Sequence, residues 1–202
     1  MKILFIGDSI TDANRDKTDP TDLGEGYVSL LAEKLRPLYE NMSFTFVNKG
    51  VSGNRIFDIA ERLERDCIAE NPDIVILFEG INDVWHKYSH GIEFDLDAFS
   101  ACYESVAAKI KESGAKLVIA EPFLLNVPDK KRFRKEFDPE VAAIKKIADQ
   151  YADAYIAFDE IFTGVSKSVS ISAYSADGIH PTHRAARLIA DNLIKKIRPF
   201  LD

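Results

Sequence analysis

Ser9 follows the apolar run Ile3-Leu4-Phe5-Ile6 across a Gly7-Asp8 step, in the stretch Gly7-Asp8-Ser9-Ile10-Thr11, which is how a chain presents a nucleophile at a strand end. A free serine hydroxyl is unreactive; it needs a base to take its proton and donors to hold the anion its attack creates. The rest of the sequence offers a candidate for each. Asp177-Gly178-Ile179-His180-Pro181 carries an imidazole with a carboxylate three residues before it. That spacing lets a turn bring Asp177 to the second ring nitrogen of His180, fixing its tautomer and stabilising its cation. Gly50-Val51-Ser52-Gly53-Asn54 and Gly80-Ile81-Asn82-Asp83 are turns that can lend backbone N–H groups and a side-chain amide. Together these types spell nucleophilic acyl transfer: Ser9 attacking, His180 as base, Asp177 orienting it. The N–H groups of Ser9 and Gly53 and the amide of Asn82 then face the oxyanion. Gly53 is read as the position where backbone must come close.

Other residues compete for these roles or surround them. His86, His90 and His183 are rival bases, but only His180 has an acid three residues back and a proline behind it. Asp8 reads as a carboxylate tying its loop to neighbouring backbone, and is also a candidate substrate contact. Trp85, the only tryptophan, is a candidate platform for a sugar face or acyl chain. Arg55 is a candidate contact for a charged substrate. Thr11 stands where the general hydrolase elbow has a second glycine, so the turn at Ser9 needs a different shape. Asp12-Ala13-Asn14-Arg15-Asp16 opens like a calcium loop but fails at Lys17 and Leu23. His180 and His183 lack the partners of a zinc motif. No metal and no cofactor is expected, and Gly24-Glu25-Gly26 is too short for a dinucleotide fingerprint.

The elements that must position these residues follow from hydrophobic periodicity. Short runs, apolar enough to be covered on both faces, recur at Ile3–Ile6, Phe44–Val47, Ile74–Phe78, Leu117–Ala120 and Tyr155–Phe158. Helical spacing lies between and after them. It is clearest from Phe99 through Ile110, capped by Asp95 or Asp97 and ended by Gly114. It recurs from Ala186 through Ile197, with Pro181 at the first turn, and more weakly over Ile56–Cys67 and Val141–Tyr151. Strand and helix alternating five times calls for an α/β class chain, a three-layer α/β/α sandwich around a five-stranded parallel sheet. No linker or repeat divides it, so residues 1–202 read as one domain. In such a sheet the loops leaving the strand C-terminal ends gather along one edge, so Ser9, Gly53, Asn82 and the Asp177–His180 loop can meet there.

Composition bounds the rest. A chain of 202 residues with 46% hydrophobic and 29% charged residues can build its own core. With 26 basic against 33 acidic residues the net charge of −7 repels a polyphosphate backbone, so nucleic acid is not expected as a partner. No stretch approaches the roughly 18 apolar residues of a membrane span, and the N-terminal run is too short for a signal peptide. The expectation is a cytoplasmic protein without a membrane partner. Cys67 and Cys102, both in helical stretches, read as small buried groups. The basic cluster Lys130, Lys131, Arg132, Arg134 and Lys135 reads as a solvated helix start. Were Phe123, Leu124, Leu125, Phe133 and Phe137 exposed, they would suggest acyl contacts or an interface in a homo-oligomer.

Gly7-Asp8-Ser9, Gly53, Gly80-Ile81-Asn82-Asp83 and Asp177-Gly178-Ile179-His180 resemble, in order, the four sequence blocks of the SGNH (GDSL-like) hydrolase superfamily. The resemblance spans nearly the whole chain. It implies the flavodoxin-like fold, Ser9 as nucleophile, Gly53 and Asn82 in the oxyanion hole, and Asp177 with His180 as acid and base. Val47-Asn48-Lys49-Gly50-Val51-Ser52-Gly53-Asn54, Gly80-Ile81-Asn82-Asp83-Val84-Trp85 and Gly24-Glu25-Gly26-Tyr27-Val28 further resemble the bacterial acetylxylan esterase branch, which removes acetyl groups from sugars. Ile10 replaces the leucine of the namesake block, and Arg55 stands where a smaller residue is commoner. The implied activity is hydrolysis of small acyl esters, chiefly O-acetyl groups on carbohydrate, with a small-molecule or oligosaccharide ester as substrate. The competing readings are a lysophospholipase, thioesterase or arylesterase with the same triad, and a silent carbohydrate-binding domain.

Overall fold

A computed structural model describes residues 1–201. Five strands, β1 (Lys2–Gly7), β2 (Thr45–Gly50), β3 (Ile74–Phe78), β4 (Lys116–Ala120) and β5 (Ala154–Ile156), form one sheet in the order β2-β1-β3-β4-β5. All neighbouring pairs are parallel. The register puts Gly50, Gly7, Phe78, Ala120 and Ile156 side by side, so every strand ends on one line and the following loops leave from it together.

Helices cover both faces, as the doubly apolar strands require. Ile3, Phe5, Ile76, Phe78 and Val118 point to the face packed by α2 (Tyr27–Leu38), α7 (Phe158–Val165) and α8 (His183–Ile197). Leu4, Ile6, Val75, Leu77 and Ile119 point to the face packed by α3 (Ile56–Asp66), α5 (Leu96–Glu112) and α6 (Arg134–Tyr151). The alternation along each strand is the period of two that sends successive side chains to opposite sides. Asp95 caps α5, accepting from Asp97 N and Ala98 N, and Gly114 follows its end with a φ of +89°.

A third, smaller core lies beyond the strand ends. Ile81 and Val84 of α4 (Ile81–His90) pack there with Leu124, Phe133, Phe137 and Ile179. Its members are sequence neighbours of the chemically interesting residues: Ile81 beside Asn82, Ile179 beside His180. Burying side chains of this size gives about 1.5–3 kcal/mol each, and that burial holds two distant loops against one another.

Several expectations need correction. Phe44 lies outside β2, which instead runs on to Gly50. Phe158 is not in β5 but opens α7, its ring stacked on Phe78 at 5.4 Å. Pro181 precedes the capping residue of α8, Thr182, whose hydroxyl accepts from Ala185 N. Helix α6 starts at Arg134, earlier than its apolar spacing indicates, and carries Pro139 inside it. Cys67 closes α3 and Cys102 lies within α5; both are free thiols, Cys67 buried and Cys102 partly so. Phe123, Leu124, Leu125, Phe133 and Phe137 are all buried, so they form neither an acyl-binding surface nor an interface. No helix among the described residues is long and apolar enough to cross a membrane.

Candidate active site

The strand order reverses between β1 and β3: from β1 the chain crosses outward to β2, then returns past β1 to β3. Loops leaving β1 and β3 diverge there and open a crevice, the usual place for a ligand in an open parallel sheet. Ser9 and Asn82 leave from these two strands.

After β1 the chain turns at once into a single helical turn, α1 (Ser9–Asp12). Asp8 caps it, its Oδ1 accepting from Ile10 N at 2.8 Å. Ser9 is the first residue of that turn, so its own N–H has no intrahelical acceptor. The turn is tight because Gly7 has no side chain: a Cβ there would stand 2.2 Å from Phe78 O and 2.6 Å from Thr11 Oγ1. Thr11 Oγ1 also shares a hydrogen bond with Tyr27 Oη at 2.9 Å, giving Thr11 a buried structural part where the general hydrolase elbow has glycine.

Ser9 Oγ lies 3.1 Å from His180 Nε2, and His180 Nδ1 lies 2.7 Å from Asp177 Oδ2. The loop bearing them is stitched to its surroundings. Asp177 Oδ1 accepts from Ser175 Oγ and from the amides of Ile179 and His180 at 2.8–3.0 Å, and Leu125 N donates to Gly178 O at 2.8 Å. Partial burial disfavours charge on Asp177, but the His180 ring and the two amides outweigh it and hold the carboxyl well below its usual range. The same hydrogen bond to Asp177 raises the His180 pKa above its ordinary 6.5 against the effect of burial, with further help from the charges of Asp177 and Asp8.

Asn82, 4% exposed, donates through Nδ2 to Asn54 O at 2.9 Å and more distantly to Asp8 Oδ2 at 3.3 Å. Asp8 is buried, which raises its pKa to about 6 despite the Ile10 amide and the nearby His180. Gly53 sits at φ +84°, a conformation side chains avoid, and a Cβ there would meet nothing within 4 Å. Its requirement is therefore conformational, not the close approach of protein backbone, and the space beside it is open to a ligand.

Two clefts meet at Ser9, Ser52 and His180. One, of about 530 Å³, is lined further by Asn14, Glu25 and His183. The other, of about 280 Å³, has a mainly apolar lining and runs past Gly53 and Asn82 to Trp85, His86 and His90. The Trp85 and His180 rings lie 5.6 Å apart. Of the other histidines, His86 and His90 line the smaller cleft and His183 the larger, but only His180 reaches Ser9. Arg55 is not among the residues lining either cleft; it lies 3.6 Å from Asp58 and over the Phe57 ring. Asp12, the first residue of the calcium-like stretch, spends its carboxylate on Ser52 and Lys17. Among the described residues no three His, Cys, Asp or Glu side chains stand in metal-ligating geometry.

Sequence reasoning passed over the side chains that hold the two donor turns. Asp12 Oδ2 accepts from both Ser52 N at 3.0 Å and Ser52 Oγ at 2.8 Å, next to Gly53. Arg62, 8% exposed, donates to Asn54 Oδ1, Lys49 O and Gly7 O, joining the ends of β1 and β2 to the turn that carries Gly53. Asn48 donates to Thr11 O and Leu23 O while accepting from Gly50 N. A charged or amide side chain inside an otherwise apolar strand or helix face was the available signal.

Comparison with known proteins settles the family. A model of the GDSL-like lipase/acylhydrolase family matches residues 5–188. The chain belongs to that family. It is 30% identical to an acetylxylan esterase of Geobacillus stearothermophilus over 204 residues, covering 97% of this chain and 93% of the relative. The crystal structure of an acetylxylan esterase from that organism superposes with a TM-score of 0.89, covering 97% of this chain and 93% of that one. A protein described as a GDSL-like lipase from Parabacteroides merdae, 28% identical, superposes at 0.92 over 96% of this chain and 94% of that one. This GDSL-like chain thus has the α/β SGNH hydrolase fold and is a carboxylic ester hydrolase.

Proposed function

We propose that the protein is a serine esterase that removes small acyl groups, chiefly O-acetyl groups, from carbohydrate. The observation that carries the mechanism is the unbroken relay from Ser9 Oγ to His180 Nε2 at 3.1 Å and from His180 Nδ1 to Asp177 Oδ2 at 2.7 Å. Ser9 Oγ attacks the ester carbon as His180 takes its proton, and Asp177 stabilises the imidazolium. The oxyanion is met by the N–H groups of Ser9 and Gly53 and by Asn82 Nδ2, whose long 3.3 Å contact to Asp8 is the bond to be displaced. As the bond to the sugar breaks, His180 protonates the departing oxygen and releases it as a hydroxyl, and the acyl-enzyme is cleared by water activated at the same imidazole. The acetyl and carbohydrate parts of the reading draw on the similarity to the acetylxylan esterase of G. stearothermophilus.

The test is acetate release from acetylated xylo-oligosaccharides together with turnover of 4-nitrophenyl esters of increasing chain length, with Ser9→Ala as control. Turnover of the acetyl ester above longer ones, lost in Ser9→Ala, supports the proposal. A preference for long chains would replace it with a lipase or thioesterase, and sugar binding without any hydrolysis would leave a silent binding domain.

A further inference from the structure

His180 is held in the plane of its ring by its two nitrogen contacts, one to Asp177 and one to Ser9. Neither contact stops the ring from tilting about the line that joins them, and the side chain is 45% exposed. Something must bear on the ring itself. Trp85 does: the two ring centroids lie 5.6 Å apart with the planes at 59°.

Trp85 is in turn fixed from behind. The Lys130 ammonium lies 5.6 Å from the Trp85 ring and 5.6 Å from the Phe133 ring, its side chain only 14% exposed and its head paired with Asp129 at 2.6 Å. A cation over a tryptophan face is attracted by the ring quadrupole, and more so where water is excluded. Trp85 also packs on the small core of Ile81, Val84, Phe133 and Ile179. It follows Asn82 by three residues on α4, so the two share one helix face. One rigid element thereby carries both an oxyanion donor and the wall against which the base rests.

The imidazole and the ammonium both stand 5.6 Å from the Trp85 ring, so its polar neighbours are the candidate base and Lys130. Taking the Ser9–His180–Asp177 relay as catalytic, the geometry points to Trp85 as a positioning residue that fixes the His180 ring for proton transfer, in place of the carbohydrate platform its type suggests. A positioning role and a platform role divide between kcat and KM. A misplaced base slows every ester, whereas a lost platform weakens only the binding of sugar esters.

The experiment measures kcat and KM of Trp85→Ala and Trp85→Phe on 4-nitrophenyl acetate, which has no sugar, and on acetylated xylo-oligosaccharides. Trp85→Ala is expected to lower kcat by about tenfold on both substrates, since small errors in catalytic geometry have effects of this size or larger. KM for the aryl ester stays within about twofold, and Trp85→Phe, which restores a ring against the imidazole, recovers most of the loss. Should Trp85→Ala fail to fold, Trp85→Leu fills the space without an aromatic plane and is read the same way. An unchanged kcat on the aryl ester, with or without a raised KM for the oligosaccharide, overturns the inference. Turnover that survives Ser9→Ala would take down the triad reading and this inference with it. Turnover that needs Ser9 but is indifferent to Trp85 overturns this inference alone.

Discussion

Asp8 shows how much one buried carboxylate can bear. It caps α1 through Ile10 N, contacts Asn82 Nδ2, and adds its negative charge to the field at His180. The hydrogen bond to Asp177 is the main reason the His180 pKa lies above its ordinary 6.5, and Asp8 contributes in the same direction. Since the base must be unprotonated to act, kcat/KM should rise with pH through a midpoint above 6.5. Asp8 itself titrates near 6, so it is ionised over most of the range where His180 loses its proton. Asp8→Asn keeps an oxygen that can accept from Ile10 N and removes the charge, so the midpoint of the acid limb should move to lower pH. A pH–rate profile of the two proteins on 4-nitrophenyl acetate reads this directly; a midpoint that stays in place or rises would deny Asp8 any electrostatic part. The candidate residues at 9, 53, 82, 177 and 180 could be picked out in the sequence because each stands in a turn, four of them with a side chain able to do chemistry. The direction of Arg55 was not legible, because a charge beside such a turn is a cue to type alone; the side chain lies against Phe57 and Asp58.

At the scale of elements, the turn carrying Gly53 depends on groups that do no chemistry. Ser52 donates to Asp12 through both N and Oγ, and Lys17 lies 3.1 Å from the same oxygen. Asp12→Ala leaves both Ser52 donors without that acceptor and frees the residue before Gly53. It should lower kcat on 4-nitrophenyl acetate by roughly tenfold with little change in KM, as expected when an oxyanion donor drifts from its place. A fall confined to thermal stability, with kcat intact, would show that the turn holds its shape without Asp12. The strands were readable because their apolar runs are short and covered on both sides. Helix α4 was not, because its first turn looks like a loop: Gly80 at φ +144°, then Ile81-Asn82-Asp83. Its continuation is polar apart from residues that face the small third core, which no local pattern reveals. The basic cluster likewise dissolves into separate jobs, with Arg134 tied to Asp159 and Lys130 set over Trp85.

Across the whole molecule the acidic excess is not confined to the surface. Glu79, Asp83 and Glu140 are buried behind the strand ends, and Glu79 Oε2, Asp83 Oδ1 and both oxygens of Glu140 have no hydrogen-bond partner. Burial drives all three to the protonated form: the Asp83 pKa rises to about 7, and those of Glu79 and Glu140 well above the usual carboxylate range. An acid whose pKa is raised by folding holds its proton more tightly in the native state. Its neutral form is costless at pH below the unfolded pKa and becomes a growing penalty as pH rises toward the folded one. Stability should therefore fall between about pH 4, near the unfolded carboxyl value, and neutrality. Glu140 is the cleanest probe, because it is wholly buried, has no hydrogen-bond partner, and its Oε1 would lie only 2.6 Å from a Cβ on Gly80, the residue that opens α4. Glu140→Gln keeps the shape and removes the titration. The variant should gain thermal stability relative to wild type at pH 8 and lose that gain at pH 4, as melting curves at the two pH values would report. A difference in melting temperature that is the same at both would mean that Glu140 carries no folding-linked proton, and the buried acids would then have to be neutralised in some other way.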